Sequence, residues 1–490
     1  MNGERKKLEG HKVRELIEVI SGRLIQGNQN TIINSISIDS RTLVYGDLFF
    51  ALIGPHFDGH NFVIEAFDKG AVGAVICKSI DSLFYNKKID KNKIIIEVKD
   101  TLLALQNWSK YYKNKFKTFN ICITGSNGKT TTKEIIAHIL SQKFSLLKTS
   151  GNYNNEIGIP LTLLQLSRLY RILVVEMGMR GLGEIKRLTD FVPPDLAVIT
   201  NIGEAHIGLL GSKENIFKAK TELLQSLDRG GIAVLNSDDP YFPKMAEIVK
   251  DKKIITFGIE NKSDIMADNI TLVNDRGMRF TLKIKNTESA EIFFPLLGRY
   301  NIYNALAASA TAFALEIDLD LMKRGLSNFK PLAMHMQLNS FYKDIKVLND
   351  SYNASPLSVK KALETLVEVA KNCRKIAILG DMLELGEKTN FYHQEIGKKI
   401  AKLSFDLLIT VGERGKIIAQ SCEDEGMAKE QIFSFERNEK RSLAKKLLRL
   451  VKPGDFVLLK GSRDMQMEDI LQFWQEEYIK SAQTQGGYND

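Results

Sequence analysis

Cysteine is scarce in this chain, and the cysteines present do not form a recognisable framework. Cys77, Cys122, Cys373 and Cys422 are the four that occur in 490 residues, and no two of them make a CxxC pair. Disulfide scaffolds and cysteine-based zinc sites need cysteines at short, paired spacings along the chain. The sequence therefore predicts neither, and it favours a reducing, cytoplasmic compartment.

Long apolar runs and blocks of one charge are also absent. No stretch of about 18 apolar residues occurs, although a membrane-spanning helix requires one. Residues 1–13 are charged and lack the apolar core of a secretory signal. The 68 basic and 59 acidic residues give a formal charge of +9, spread along the chain apart from short clusters such as residues 110–117. Such clusters are typical of a solvated face. We expect no membrane span and no nucleic-acid partner, and the mild positive excess suits an anionic substrate.

The pattern that is present is an alternation of strand-like apolar runs with helical segments. It predicts α/β architecture with mostly parallel sheets. The length predicts about three domains, at about 150 residues each, and we place them at residues 1–113, 114–330 and 331–490. The strand-like runs are TIINSISID, DLFFALIG and AVGAVIC in the first block, FNICIT, RILVVEM and DLAVIT in the second, and KIAILG, DLLITVG and DFVLLKG in the third.

The strongest local signal is TGSNGKTTT at residues 124–132, between a predicted strand and a predicted helix. Gly125 and Gly128 permit a tight turn whose N–H groups can face a phosphate, and the helix adds its positive dipole end. Lys129 is then placed to reach the β- and γ-phosphates and the Thr130 hydroxyl to bind Mg²⁺. The usual first glycine of such a loop is replaced by Ile123, so an ordinary turn with a solvated lysine is the alternative.

Candidate metal ligands follow two later strands. Glu176 ends the run ILVVE, where a carboxylate near a phosphate loop is well placed for Mg²⁺, although an ordinary strand-end acid would have the same pattern. His206 follows the run DLAVI, and a lone histidine there is more often a structural hydrogen-bonding residue than a metal ligand. Lys218 and Lys220 lie on a predicted helix, where solvated lysines are the default. A lysine held out of water has a lowered pKa, and its neutral amine can react with carbon dioxide to form a carbamate.

These motifs, taken in order, resemble those of the Mur ligases. The resemblance is carried by residues 124–132, 151–164 (GNYNNEIGIPLTLL), 174–185 (VVEMGMRGLGEI), 200–223 (TNIGEAHIGLLGSKENIFKAKTEL), 298–308 (GRYNIYNALAA) and 349–363 (NDSYNASPLSVKKAL). The combination of NNEIG, EMGMRGLGEI, DSYNASP and AILGDMLELGE (residues 377–387) is similar to the member that adds D-alanyl-D-alanine to a UDP-linked muramoyl tripeptide. Residues 39–62 resemble a UDP-binding domain. The resemblance covers nearly the whole chain.

The resemblance implies a fold and an activity. The fold has an N-terminal UDP-sugar-binding α/β domain, a central P-loop ATPase domain and a C-terminal Rossmann-like domain. The activity is ATP-dependent amide formation in peptidoglycan precursor synthesis. A monomer would bind ATP, two Mg²⁺ ions, UDP-N-acetylmuramoyl-tripeptide and D-alanyl-D-alanine. The tripeptide carboxylate would attack the γ-phosphorus to form an acyl phosphate, which the amine of the dipeptide then attacks.

The resemblance also implies site residues. It places ATP on Gly125, Ser126, Asn127, Gly128, Lys129, Thr130, Thr131, Asn301, Asn304 and Asp350. It places metal on Thr130, Glu176, His206 and a carbamylated Lys220, and assigns Lys129, Glu176, His206 and Lys220 to catalysis. It places the UDP-muramoyl peptide on Ser40, Arg41, Asn152, Asn154, Asn155 and Arg180. From the residues alone, Asn304 is equally a helix cap and Asp350 an Asx-turn residue.

The chain departs from the family's pattern at two places. Relatives carry an arginine near the start of the third domain where this chain has His335 within AMHMQ, so the role of that arginine is not transferred. The segment KGSRDMQMED matches the family's KGSR…ME pattern in part, which leaves the contacts to the amine substrate open.

Three alternatives remain at this point. One is another ligase of the same fold, either the tripeptide-forming Mur ligase or a folyl-polyglutamate synthase. The second is a P-loop kinase or nucleotide switch, which would need neither a UDP domain nor the pair of His206 and Lys220. The third is a non-catalytic scaffold marked by His335, against which the intact Lys129, Glu176 and His206 argue.

Overall fold

The structure, a computed structural model, describes residues 10–79, 89–286 and 289–486. The charged stretch at residues 1–9, which entered the prediction of no secretory signal, lies outside the described residues. Within those residues, none of the helices combines the length and apolar character that crossing a bilayer requires.

The first block folds around a five-stranded sheet in the order β2-β7-β6-β5-β4, with β2 antiparallel to its neighbour and the others parallel. Its strands are β1 (His11–Lys12), β2 (Arg23–Gln26), β3 (Ile32–Ile33), β4 (Ser35–Ser37), β5 (Asp47–Phe50), β6 (Gly73–Ile76) and β7 (Ile94–Glu97), and its helices are α1 (Val13–Ile20), α2 (Val63–Asp68) and α3 (Thr101–Lys113). The single strand predicted over TIINSISID is wrong, because β3 pairs with β1 and β4 joins the five-stranded sheet.

The second block contains a nine-stranded sheet in the order β16-β15-β14-β13-β12-β11-β8-β10-β9. Its strands are β8 (Phe119–Thr124), β9 (Leu146–Lys148), β10 (Ile172–Glu176), β11 (Leu196–Ile199), β12 (Ile232–Asn236), β13 (Lys253–Gly258), β14 (Ile265–Val273), β15 (Gly277–Ile284) and β16 (Ala290–Phe294). Its helices are α4 (Lys129–Leu140), α5 (Gly158–Leu163), α6 (Glu184–Phe191), α7 (Ile207–Leu210), α8 (Lys213–Gln225), α9 (Phe242–Ile248), α10 (Arg299–Ala314) and α11 (Leu319–Ser327). The strands are parallel from β9 to β14, and β15 and β16 continue the sheet as an antiparallel extension.

Two helical layers cover this central sheet. Helix α4 buries Ile135, Ile136, Ile139 and Leu140 against one face, as the helical spacing of these residues predicts, and α10 packs beside it. Helix α8 buries Ile216 on the opposite side. Burying each large aliphatic side chain contributes about 1.5–3 kcal/mol, so the two layers hold the carboxyl ends of β8, β10 and β11 at one rigid edge.

The third block contains a six-stranded sheet in the order β17-β18-β22-β19-β20-β21, parallel except for β17. Its strands are β17 (Gln337–Ser340), β18 (Lys346–Asn349), β19 (Lys375–Gly380), β20 (Leu407–Val411), β21 (Ile432–Phe435) and β22 (Phe456–Lys460), and its helices are α12 (Pro356–Ala370), α13 (Thr389–Lys402), α14 (Gly415–Asp424), α15 (Lys440–Leu450) and α16 (Glu468–Gly486). The carboxyl ends of β18, β19 and β22 face the central domain, because the segments that follow them line the same cleft as the loop after β8.

Candidate functional site

A cleft of about 1260 Å³ lies between the central and C-terminal sheets. Its walls combine the loop after β8, the residues that follow β10 and β11, one side of α3 and the segments that follow β18, β19 and β22. Ligands of open α/β sheets bind outside the carboxyl ends of the strands. Two such edges facing each other therefore define a site with room for two substrates.

The loop after β8 has the backbone of a phosphate-binding turn. Gly125 has φ +152° and Gly128 has φ +81°, both in the region that favours glycine. A Cβ on Gly125 would lie 1.9 Å from Thr200 Oγ1, and one on Gly128 would lie 2.2 Å from Asn304 Oδ1. Neither position has space for a side chain, so the glycines are required by packing as well as by conformation.

The N–H groups of this loop divide into two sets. Ser126 donates its N–H to the Asn201 carbonyl at 2.9 Å, and Asn127 donates its N–H to Asn201 Oδ1 at 3.1 Å. Gly128 caps α4 without a side-chain hydrogen bond. The first-turn N–H groups that follow, at Lys129, Thr130 and Thr131, have no intrahelical acceptors. The anion-binding donors are therefore at the helix start rather than along the whole loop.

Lys129 folds back over the loop. Its Nζ donates to the Gly125 carbonyl at 2.8 Å and to the Ser126 carbonyl at 3.5 Å. Removal from water lowers the pKa of Lys129, and the nearby Glu176 charge partly opposes this. Neutral carbonyls are weak partners for an ammonium compared with phosphate oxygens, so this lysine is suited to exchange the loop for an anion.

Lys220 is buried, with 1% of its surface exposed, whereas Lys218 on the same helix is exposed. The Lys220 Nζ donates to the same Gly125 carbonyl at 2.9 Å. Burial, followed by the charge of Lys129, holds the pKa of Lys220 well below its ordinary value. The expectation of a solvated lysine is thus wrong for Lys220, and the lowered pKa favours the neutral amine, the form that reacts with carbon dioxide.

Glu176 ends β10 and is 2% exposed. Its Oε1 accepts a hydrogen bond from Asn154 Nδ2 at 2.8 Å, and its backbone N–H donates to Thr149 Oγ1 at 3.0 Å. Its Oε2 is buried without a hydrogen-bond partner among the described residues. A buried carboxylate oxygen that accepts no hydrogen bond is costly unless a cation lies near it. The Lys133 ammonium lies 3.8 Å away, beyond hydrogen-bond distance, so this oxygen still fits a magnesium ligand.

Lys133, a buried lysine in the first turns of α4, lies close to Glu176. The Lys133 Nζ donates to the Thr149 carbonyl at 2.8 Å and to the Gly151 carbonyl at 3.2 Å. It also lies 3.8 Å from Glu176 Oε2 and 3.1 Å from Glu134 Oε1. The prediction missed this lysine, although its spacing from Ile136 and Leu140 places it on the apolar stripe of α4.

His206 lies where the central domain meets the C-terminal domain. Its Nδ1 is 2.6 Å from Glu384 Oε2, in the segment that follows β19, and Arg180 Nη2 is 3.4 Å from Glu384 Oε1. The hydrogen bond with His206 lowers the pKa of Glu384 despite its burial. Glu384 falls within the AILGDMLELGE motif, but the sequence alone gave it no partner 178 positions away.

The kinds of ligand atom present suit a divalent cation, but they do not surround an ion completely. Among the residues that the structure describes, no group of three or more His, Cys, Asp or Glu is close enough to hold an ion. Mg²⁺ usually takes one or two protein carboxylates and completes its octahedron with water and substrate phosphates. Glu176, His206 and the Thr130 hydroxyl are consistent with a cation that binds together with a nucleotide.

Asn301 and Asn304 are buried on α10, directly behind the phosphate loop. Asn304 Nδ2 donates to Asn301 Oδ1 at 2.9 Å, Asn301 Nδ2 donates to the Leu297 carbonyl at 2.8 Å, and Thr132 Oγ1 donates to Asn304 Oδ1 at 3.3 Å. Asn304 is not the cap of this helix, which Gly298 provides. Both asparagines line the cleft.

Asp350 faces the loop from the C-terminal domain. Its carboxylate forms an ion pair with Lys460 of the KGSR segment and accepts a hydrogen bond from the Met336 N–H at 3.1 Å. His335 stacks on Tyr352 with ring centroids 4.4 Å apart. Burial lowers the pKa of His335, so the imidazole is neutral near neutrality and does not replace an arginine charge. Lys361, Lys460 and Arg463 are cations of the C-terminal domain that line the cleft.

The residues assigned to the UDP-muramoyl peptide lie in two places. Asn152, Asn154, Asn155 and Arg180 line the cleft. Asn155 Oδ1 caps the start of α5 through the Gly158 N–H at 2.9 Å. Ser40 and Arg41 are in the N-terminal domain and are not part of the cleft wall; Ser40 is buried, and Arg41 is paired with Asp39 at 2.8 Å.

These features define a class of protein: an enzyme that binds a nucleotide at a phosphate loop and whose cleft is completed by a second α/β domain. Family models agree with it: "Mur ligase family, catalytic domain" matches residues 32–113, "Mur ligase middle domain" residues 123–312 and "Mur ligase, glutamate ligase domain" residues 336–463. The chain belongs to the Mur ligase family.

Relatives and solved structures are similar over nearly the whole length. The UDP-N-acetylmuramoyl-tripeptide–D-alanyl-D-alanine ligase of Bacillus subtilis is 35% identical over 461 residues, which cover 94% of this chain and 97% of the relative. The crystal structure of MurF from Acinetobacter baumannii superposes with a TM-score of 0.83 at 31% identity, covering 96% of this chain and 99% of that one. MurF from Thermotoga maritima in complex with ADP gives a TM-score of 0.78 at 27% identity, with coverages of 92% and 99%.

Proposed function

We propose that this enzyme joins D-alanyl-D-alanine to UDP-N-acetylmuramoyl-tripeptide with hydrolysis of ATP to ADP and phosphate. The observation that carries the proposal is the cleft itself, in which a phosphate loop faces the strand ends of a second α/β domain. The related ligases of Bacillus subtilis and Escherichia coli are named for these two substrates. The product is UDP-N-acetylmuramoyl-pentapeptide, a peptidoglycan precursor.

The nucleotide binds at the start of α4. The N–H groups of Lys129, Thr130 and Thr131 point to the β- and γ-phosphates, after a turn formed by Gly125, Ser126, Asn127 and Gly128. The Lys129 ammonium leaves the Gly125 carbonyl for the phosphate oxygens, where it regains a full charge partner. Asn301 and Asn304 face the adenine, and Asp350 faces the ribose from the C-terminal domain.

Thr130, Glu176, His206 and a carbamate on Lys220 would hold two Mg²⁺ ions. Bound magnesium offsets the repulsion between the phosphates and the attacking carboxylate. Glu176 Oε2 accepts no hydrogen bond from the described residues, which supports its part in this set. The carbamate forms when the neutral Lys220 amine attacks carbon dioxide and loses a proton, which gives an N–C bond and a new carboxylate at the end of a long side chain.

The reaction has two chemical steps, and residues of this chain assist both. The tripeptide carboxylate attacks the γ-phosphorus and forms an acyl phosphate as ADP leaves. The amine of the dipeptide then attacks the carbonyl carbon, and phosphate leaves. Lys129 stabilises the charge on the transferred phosphoryl group, while the C-terminal domain covers the cleft and keeps water from the acyl phosphate.

The acceptor substrate spans the N-terminal and central domains. Ser40 and Arg41 bind the UDP group, and Asn152, Asn154, Asn155 and Arg180 bind the muramoyl peptide and its carboxylates. For Arg180 this requires an exchange of its contact with Glu384, which at 3.4 Å is a long ion pair on an exposed side chain.

We place the domain boundaries at 113/114 and 330/331.

The enzyme acts as a monomer in the cytoplasm. Every residue assigned to the reaction comes from one chain, so no second copy is needed to complete the site. ATP and nucleotide-linked sugar are supplied on the cytoplasmic side, which favours that compartment. Sedimentation at the working concentration tests the monomer directly, and a dimer that alone retains activity would contradict it.

A two-substrate ADP assay tests the function. Purified enzyme, ATP and Mg²⁺ are combined with UDP-muramoyl tripeptide, D-alanyl-D-alanine, or both, and products are measured by mass spectrometry. We expect pentapeptide to form only with both substrates, with one ADP for each product. Turnover with UDP-muramoyl dipeptide and a diamino acid instead would assign the chain to the preceding step.

A further inference from the structure

The central and C-terminal domains meet backbone to backbone beside His206. The Gly208 N–H donates to the Glu384 carbonyl at 3.0 Å. A Cβ on Gly208 would lie 2.2 Å from the Gly386 nitrogen, and one on Gly386 would lie 2.8 Å from the Gly208 Cα. Contact this close fixes the relative position of the two segments and excludes any side chain between them.

This docking delivers one carboxylate to the metal-site histidine. Glu384 has φ +61° and His206 has φ +65°, unusual values for residues other than glycine. With this backbone, Glu384 Oε2 lies 2.6 Å from His206 Nδ1. Strained backbone of this kind persists where surrounding structure imposes it, often at functional sites.

The hydrogen bond determines which imidazole nitrogen carries the proton. An ionised carboxylate accepts, so Nδ1 is the N–H donor, and the lone pair of the neutral ring therefore lies on Nε2. Among the described residues, the structure gives Nε2 no hydrogen-bond partner. A carboxylate on one ring nitrogen and a metal on the other is the arrangement by which proteins orient histidine ligands.

We propose that Glu384 is a positioning residue, which orients His206 for the divalent cation and does so only while the C-terminal domain is docked. The inference rests on the proposed role of His206 as a metal ligand. It goes beyond that role because it makes the cation site of one domain depend on a carboxylate from another. Magnesium affinity and domain docking are then thermodynamically coupled.

Two measurements on the full chain test this inference. The first is Mn²⁺ affinity in the presence of ADP, measured by electron paramagnetic resonance. The second is the nitrogen NMR spectrum of histidine-labelled enzyme, in which His206→Gln identifies the His206 signals. The variants are Glu384→Ala, Glu384→Gln and, as a matched control in the same segment, Glu387→Ala, whose side chain is exposed.

We expect Glu384→Ala to weaken Mn²⁺ binding about 10- to 100-fold and to remove the protonated-Nδ1 signature of His206. Glu384→Gln retains a carbonyl acceptor and should keep both properties near wild type, and Glu387→Ala should leave both unchanged. Equal Mn²⁺ affinity in Glu384→Ala and Glu387→Ala would overturn the proposal. A loss in Glu384→Gln as large as in Glu384→Ala would also overturn it, since charge rather than orientation would then set affinity.

Two further variants separate the parts of the inference. Gly208→Val blocks docking by contact with the Gly386 backbone, so it should reproduce the losses of Glu384→Ala; unchanged Mn²⁺ affinity would overturn the dependence on docking. If His206→Gln leaves Mn²⁺ affinity unchanged, the proposed metal role of His206 is wrong. If His206→Gln abolishes binding while Glu384→Ala does not, only the positioning role is wrong.

Discussion

Replacing Lys133 by methionine should destabilise the central domain severely. The Lys133 side chain is fully buried, and its Nζ serves the Thr149 and Gly151 carbonyls as well as the carboxylates of Glu134 and Glu176. Methionine has a similar length but no donor, so these acceptors lose a buried partner. Removing one member of a buried charge pair typically costs about 3–5 kcal/mol.

The size of the effect can be expressed as a melting temperature. For a unit of about 200 residues, 1 kcal/mol corresponds to about 2–4 °C, so Lys133→Met should lower the main transition by about 6–20 °C. The chain has several domains, and a single free energy of unfolding is therefore not defined for it. Scanning calorimetry at one fixed rate compares the variants without that assumption.

Lys218→Met is the matched control, because Lys218 is exposed on α8. An exposed substitution of this kind changes stability by about 0.5 kcal/mol or less, which corresponds to a shift of about 1–2 °C. A Lys133→Met transition within that range of the control would refute the reasoning. It would mean that the contacts of the buried ammonium do not hold the segment at residues 149–151 against Glu176.

Three other perturbations follow from the site. Gly128→Ala should weaken binding of an ATP analogue, measured by calorimetry, by about tenfold or more. The left-handed backbone costs a residue with a side chain about 1–2 kcal/mol, and the added Cβ would meet Asn304 Oδ1. Gly183→Ala is the control, because Gly183 has φ +80° with nothing within 4 Å of an added Cβ; it should bind normally, and an equal loss in both variants would contradict the packing argument. Lys220→Ala should have very low ligase activity that small carboxylic acids partly restore, and near-normal unassisted turnover would exclude the carbamate. Burial alone raises the pKa of Glu15, but hydrogen bonds from Lys115, Tyr111 and His11 outweigh it and lower the pKa from 4.5 to about 2. The lowered pKa means that Glu15 stabilises the fold above pH 4.5 and that this stability is lost as the pH falls towards 2. The melting temperature of Glu15→Gln should therefore be lower than that of wild type at neutral pH and equal to it near pH 2. A difference in melting temperature that stays constant with pH would contradict this linkage.

Much of the fold follows from local patterns in the sequence. The runs FNICIT, RILVVEM and DLAVIT form β8, β10 and β11, because a strand buried on both faces is apolar throughout. The pattern over TIINSISID predicted a single strand and was wrong. Alternation identifies extended backbone but does not choose a partner, and Asn34 separates two short strands that join different sheets.

The burial of Lys220 has a signal in the sequence that could have been used. Ile216, Lys220, Leu223 and Leu224 follow one another at helical spacing, so Lys220 lies on the apolar stripe of α8 while Lys218 lies off it. The contact of Glu384 with His206 has no such signal. It joins residues 178 positions apart across two domains, and it depends on how those domains pack, including Gly208 against Gly386.

The most direct test of the account is the fate of the carboxylate oxygen. UDP-muramoyl tripeptide labelled with heavy oxygen in its terminal carboxylate is turned over with ATP and D-alanyl-D-alanine, and the released phosphate is analysed by mass spectrometry. Attack of the carboxylate on the γ-phosphorus predicts one labelled oxygen in every phosphate released with pentapeptide. Pentapeptide formed together with unlabelled phosphate would contradict the acyl-phosphate route and, with it, the role assigned to the cleft.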